Sequence, residues 1–245
     1  MGMSPRLLRP RASGFNPKSI SGLAAWWDAS DASTITTVSG VVSQWNDKSG
    51  NSLNATQTTA NNRPSNSTET LNGRAVMTFA DNDFFSFTGT ARTDETLFCV
   101  GRANVAPSGA VRTNIFVGDN ASGFGLSVVT KNDGATGTVE INLGGFTTGT
   151  TRAAFTIASG APYGPGVLSC VRSSAAGGIL RSDGTQRATC TTSNSFTLSR
   201  IGGVGTASPL YGYIAEILIY SRALTTSESQ RVERYLGKKW GITVA

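Results

Sequence analysis

The chain has 245 residues, of which 38% are hydrophobic and 15% charged, with 29 glycines and a formal net charge of +6. A chain of this length can bury a sizeable core as one domain, and its Gly-rich, charge-poor balance favours short strands and many turns over helices. The lack of histidine removes the commonest general base and metal ligand, and no apolar run approaches membrane-spanning length.

Residues 1–20 come first as a separate piece. Pro5, Pro10 and Pro17 oppose regular structure, while Arg6, Arg9, Arg11 and Lys18, with no acid among them, keep the piece solvated. Arginines and prolines stand where a secretory signal needs an apolar core, so no export signal is expected. The expected organisation is a basic N-terminal arm, residues 1–20, followed by a body over residues 21–245.

The body opens with an apolar strand over residues 22–31 and a short hairpin over 34–42 around Ser39-Gly40. A strand then runs through Trp45 into an Asn/Asp/Gly turn ending at Asn51. The Asn-, Thr- and Ser-rich stretch 53–70 reads as a long surface loop. Strands follow over 75–79, 83–87, 96–102, 114–117, 125–130, 138–143, 153–157, 166–172, 178–183 and 195–201. In the last strand, 211–220, both alternating sets are largely apolar, which predicts a central strand buried on two faces. Thr225-Thr226-Ser227-Glu228 is a capping box, with Val232 and Leu236 one helical turn apart behind it and Gly237 near the expected helix end. These elements predict an all-β, two-sheet antiparallel jelly-roll sandwich with one short C-terminal helix closed by Trp240. No fixed period recurs, which excludes repeat solenoids and propellers.

The three cysteines are far apart in sequence. Cys99, in an apolar run, reads as a small buried hydrophobe. Cys170 and Cys190 would meet if their strands are neighbours, but their spacing demands neither a disulfide nor a zinc site.

Two stretches carry a resemblance. Leu23-Ala24-Ala25-Trp26-Trp27-Asp28-Ala29-Ser30-Asp31, with Val42-Ser43-Gln44-Trp45-Asn46-Asp47-Lys48-Ser49-Gly50-Asn51, resembles the opening of concanavalin A-like jelly-roll domains of the LamG or pentraxin type. Gly212-Tyr213-Ile214-Ala215-Glu216-Ile217-Leu218-Ile219-Tyr220-Ser221-Arg222-Ala223-Leu224, through Lys239-Trp240-Gly241, resembles their close. The resemblance spans residues 21–245 and is specific at both ends. It implies two antiparallel sheets with the terminal strands paired, of a kind common in bacteriophage virion proteins. The fold hosts lectins, glycosidases, adhesion modules and capsid ornaments alike, so function has to come from particular residues.

Glycosidase chemistry on such a fold needs two carboxylates facing across a groove. Glu140 and Glu216 are the candidates, but they stand on separate strands, and Glu216 is expected in a structural ion pair with Arg222 or Arg200. Loop oxygens at Asp81-Asn82-Asp83, Asp28/Asp31 and Asp47/Asn51 are the candidates for calcium, although Asp-Asn-Asp is equally an ordinary turn and no cofactor is required. For sugar binding, Trp26, Trp27, Trp45 and Trp240 lie in core-like segments, which leaves Tyr163 and Phe146 as candidate exposed platforms.

The basic residues cluster at the two ends, where Arg231, Arg234, Lys238 and Lys239 mirror the arm. No basic stripe interleaved with aromatics runs between them, so nucleic acid is not the expected partner. The leading expectation is a non-enzymatic bacteriophage virion structural protein, synthesised in the host cytoplasm. It would dock on capsid or tail subunits through Arg6, Arg9, Arg11 and Lys18, form homo-oligomers and contact host-surface glycans. The alternatives are a free, calcium-assisted carbohydrate-binding module and a glycoside hydrolase.

Overall fold

The computed structural model describes residues 14–66, 68–80, 82–119, 125–143, 148–203 and 208–245. Its strands begin with β1 (Leu23–Asp28), β2 (Ile35–Val38), β3 (Val41–Trp45), β4 (Ala55–Thr56), β5 (Thr70–Leu71) and β6 (Arg74–Ala75). Next come β7 (Met77–Phe79), β8 (Phe85–Ser86), β9 (Glu95–Ala103), β10 (Val111–Gly118), β11 (Gly125–Lys131) and β12 (Gly137–Asn142). The last six are β13 (Arg152–Ile157), β14 (Tyr163–Ser173), β15 (Gly177–Ser182), β16 (Thr185–Cys190), β17 (Arg200–Ile201) and β18 (Gly212–Tyr220), followed by the helix α1 (Thr226–Trp240).

The strands build two large antiparallel sheets. The first runs β1-β18-β9-β14-β15-β16, with β7 also on β18, and the second runs β13-β12-β11-β10-β17-β8-β4-β3-β2. Trp27, Trp45, Phe79, Phe85, Phe116 and Ile217 fill the space between them. The helix lies on the other side of the first sheet, where Val232, Leu236 and Trp240 pack on Phe98, Leu218 and Tyr220. The molecule therefore has three layers: the nine-stranded sheet, the seven-stranded sheet and the helix. Every residue of β18 is buried because this strand is covered on both faces, as its double apolar alternation requires. The opening and closing strands pair directly, with Trp26 opposite Leu218.

The capping box forms as the sequence predicts: Thr225 accepts from the Glu228 N–H while the Glu228 side chain accepts from the Thr225 backbone. Gly237 does not end the helix. It lies one turn inside, where a Cβ would meet Val244 Cγ2 at 2.5 Å and the Ile242 carbonyl at 2.7 Å, so the chain after the helix folds tightly back over it. The stop is Gly241, in the left-handed region at φ 70°.

Two other expectations change. The polar stretch 53–70 is not wholly surface loop, because Ala55 is fully buried in β4 and Gln57 is buried beside it. Cys170 and Cys190 are not on neighbouring strands, since β15 lies between β14 and β16, and both remain free thiols. Cys99 is buried as expected.

Candidate ligand-binding face

The carboxylates come first, because they decide what chemistry is available. Glu216 points away from the inter-sheet core towards the helix and is 0% exposed. Its Oε1 accepts from Trp26 Nε1 at 2.7 Å and Tyr235 OH at 3.0 Å, and its Oε2 from Trp240 Nε1 and Lys239 Nζ, both at 2.7 Å. Burial pushes its carboxyl upward against the pull of Lys239. All four partners donate, so the cluster is built around an acceptor carboxylate. Lys239 also reaches Asp28 at 2.7 Å, and Lys48 joins Asp28 at 2.8 Å and Asp31 at 2.7 Å. Burial would raise Asp28, but the bonds and charge of Lys239 and Lys48 outweigh it and hold the carboxyl below its ordinary value.

The expected pairing of Glu216 with Arg222 or Arg200 is therefore wrong. Arg222 lies beyond the end of β18 and pairs with the helix-capping Glu228 at 2.6 Å, whereas Arg200 belongs to the opposite sheet. Glu140 is also on the opposite sheet, on its outer face, held by Arg152 Nε at 3.3 Å and Asn142 Nδ2 at 3.2 Å. The whole two-sheet core separates Glu140 from Glu216, so these two cannot act on one glycosidic bond.

The outer face of the nine-stranded sheet has a different character. Register pairs link Thr36 to Gln44, Gln44 to Thr56, Thr56 to Ser86 and Ser86 to Arg200. The same line continues through Gly118, Gly125 and Asn142 to Arg152. Their chain neighbours Trp45, Ala55, Phe85, Ile201, Val117, Leu126, Ile141 and Ala153 all point into the core. A single row of hydroxyl, amide and guanidinium groups thus crosses the sheet, interrupted by two glycines. Gly125 is required where it stands: at φ 137°, a Cβ would lie 2.2 Å from the Val117 carbonyl oxygen.

At Thr56, Ser86 and Arg200 the row opens into a depression of about 360 Å³, completed by Gln57, Thr58, Thr59 and Phe84. A second, of about 210 Å³, adjoins it over Ser86, Phe87, Ser199 and Arg200. The walls are tied from behind. Gln57 Nε2 donates to the Phe84 carbonyl at 2.9 Å, its Oε1 accepts from the Thr59 N–H at 3.0 Å, and Arg63 Nε donates to the Gln57 carbonyl at 3.0 Å. The Arg200 guanidinium sits 4.7 Å from the centre of the Phe84 ring and bonds to Ser86 Oγ. Polar groups of fixed direction beside an aromatic ring are the ingredients of a small-ligand subsite.

The remaining candidates fall as follows. Tyr163, expected as an exposed platform, is only 7% exposed on β14, with its hydroxyl bonded to Ser182 Oγ at 3.1 Å. Phe146, Asp81, Arg6, Arg9 and Arg11 lie outside the described residues. Lys18 is exposed in the short 3-10 turn Pro17–Ser19, and the four tryptophans are in the cores as expected. Asp83 accepts from the Ala80 N–H at 2.8 Å in an ordinary turn. Asp47 is occupied by the backbone N–H groups of Trp26, Ser49 and Leu53. Among the described residues no group of three acidic or cysteine side chains is placed to hold a metal ion, and no helix is long and apolar enough to cross a membrane.

No protein-family model matches the sequence, and no curated protein matches it. Solved structures do share the fold. The chain is similar to Trypanosoma rangeli sialidase in complex with the inhibitor DANA, at 14% identity and TM-score 0.55, over 91% of this chain and 34% of that one. It is similar to the binding domain of Paraclostridial Mosquitocidal Protein 1, at 12% identity and TM-score 0.56, over 93% and 56%. It is also similar to domain 4 of AbnA, a GH43 extracellular arabinanase from Geobacillus stearothermophilus, in complex with arabinotriose, at 11% identity and TM-score 0.52, over 86% and 98%. The chain thus spans about a third of the sialidase and nearly all of the arabinanase domain. At these identities the likeness is one of architecture, and the architecture is a jelly-roll-like β-sandwich.

Proposed function

We propose that this chain is a non-enzymatic, glycan-contacting β-sandwich module, carried as a structural protein on a bacteriophage virion. The observation that carries the sugar reading is the polar row across the outer face of the nine-stranded sheet, with its depression beside Phe84. Sugars present hydroxyl pairs on an otherwise apolar ring. A row of Thr, Ser, Gln and Arg groups with one aromatic edge matches that surface in both respects. The arabinanase domain solved with arabinotriose has this same architecture over nearly its full length, which supports the reading by analogy. Glu140 and Glu216, each tied to a cation on opposite sides of the core, argue against hydrolysis.

The test is a glycan array probed with the full chain, with and without a chelator, beside Phe84→Ala and Thr56→Ala variants. The expected outcome is chelator-independent binding to a subset of glycans that Phe84→Ala weakens by roughly tenfold. No binding by the unaltered chain removes the sugar reading, and binding abolished by chelator replaces it with a calcium-assisted one. The virion assignment is tested by co-sedimentation of the full chain with particles lacking it, where a chain that stays in the supernatant overturns it.

A further inference from the structure

Several cations of the body pair with a carboxylate: Lys48 with Asp28 and Asp31, Arg92 and Arg172 with Glu95, Arg152 with Glu140, Arg181 with Glu233, Arg222 with Glu228 and Lys239 with Glu216. The exposed face of α1 gathers three cations that have no such partner. Arg231, Arg234 and Lys238 project from successive turns of one helix face, and among the described residues no carboxylate pairs with any of them.

These three line a depression of about 430 Å³ whose floor is Phe15 and Tyr235. A neighbouring depression of about 320 Å³ continues it past Gly14, Phe15 and Lys238 to Arg74. The two rings pack at 5.7 Å between centroids, and the Arg231 guanidinium covers Phe15 at 5.2 Å. The result is a basic cleft with an apolar floor, and its lining contains no acid. The preceding segment of the chain cannot neutralise it, because residues 1–13 contain Arg6, Arg9 and Arg11 and no acidic residue. Arm and helix face carry charge of the same sign.

We infer that the α1 face, centred on Arg231, Arg234, Lys238 and Phe15, is a docking cleft for an acidic, apolar-anchored protein segment of a neighbouring subunit. Nucleic acid fits it less well. Base stacking needs a flat, open aromatic face, whereas Phe15 is half-buried, tilted by 57° against Tyr235 and approached by the Arg231 guanidinium. The arginines suit carboxylates through their planar fork, and the rings suit a single apolar side chain. The cleft lies on the far side of the molecule from the polar row, so both can be filled at once. The inference adds a surface and a partner chemistry to the docking part of the proposal above. Its readout needs neither virion nor glycan, so the two can fail separately.

The test is fluorescence anisotropy of the full chain with two labelled probes: a glutamate-rich peptide carrying one central leucine, and a duplex DNA of equal net charge. The unaltered chain is expected to bind the peptide more tightly than the DNA, and binding should weaken as salt rises. Combined Arg231→Gln, Arg234→Gln and Lys238→Gln substitutions should weaken it by roughly tenfold. Arg187→Gln with Lys131→Gln, remote from the cleft, should leave it unchanged, and circular dichroism checks that both variants fold. Tighter DNA binding overturns the inference in favour of nucleic acid. No peptide binding at low salt, or equal losses in the two variants, overturns it outright.

Discussion

The two outer faces of the sandwich handle polar groups in opposite ways. Behind the seven-stranded sheet, Glu216, Asp28 and Lys239 are sealed under a helix and answer one another. Across the nine-stranded sheet the polar row faces outward and partly opens into depressions. Buried charge that is fully partnered fixes one arrangement and leaves nothing for a ligand. A row of hydroxyl, amide and guanidinium groups on strands leaves directed donors and acceptors available. The difference separates two uses of polar groups: the buried helix-side carboxylates hold the protein together, whereas the sheet row leaves its groups at the surface.

Substitutions should separate the two faces clearly. The largest effect is expected from Glu216→Ala, which leaves two buried indole N–H groups and the Tyr235 hydroxyl without their acceptor and Lys239 with Asp28 alone, and should cost about 3–5 kcal/mol in urea unfolding. A cost below about 1 kcal/mol would mean that the cluster is not the clamp its geometry describes. Gly125→Ala comes next, at about 1–3 kcal/mol, because a methyl must displace the Val117 carbonyl in the middle of the polar row. Such a loss would show that the row is rigid, whereas a neutral result would show a backbone free to shift.

A smaller effect follows from acid. The hydrogen bond from Arg222, helped by the Thr225 backbone, lowers the Glu228 carboxyl to about 2 from an ordinary 4.5. A depressed carboxyl contributes stability that is present above pH 4.5 and is lost as pH falls towards 2. Melting should therefore drop across that window, and Glu228→Gln should remove this part of the dependence. The effect stays modest because the pair is partly in solvent. The smallest change is expected from Thr56→Ala, within about 0.5 kcal/mol by melting, since this hydroxyl lies at the surface of the row. Stability unchanged with glycan binding reduced would be the sharpest separation of the two faces.

What could be read from the sequence follows the length of the signal. The ten-residue alternation into Tyr220 and the Thr225–Glu228 capping box place β18 and the start of α1 to within a residue, because each carries a long period or a specific local bond. The polar row was not legible. It is assembled from strands as short as Thr56, Ser86 and Arg200 with one neighbour each, and two residues show no period. For the same reason Phe84 was missed as a lining ring while the buried Tyr163 was chosen. A glycine-rich context suggests a loop, but Gly164 and Gly166 sit inside β14. Glu216 was correctly expected in a structural ion pair, but with the wrong partner. Lys239 is remote in sequence, and only the packing of the helix across β1 and β18 brings it near.

The direct pairing of β1 with β18, from Leu23 opposite Tyr220 to Asp28 opposite Glu216, also bears on how the molecule comes into being. The first strand cannot find its partner until almost all of the chain has been made, and the clamp needs Lys239, later still. A nascent chain therefore carries an unpaired apolar β1 until β18 and Lys239 have emerged. With its longest loop closed by its first and last strands, refolding belongs to the slow, millisecond-to-second class of sheet proteins. Until then the exposed Trp26 and Trp27 segment is the part of the chain most in need of shielding from aggregation.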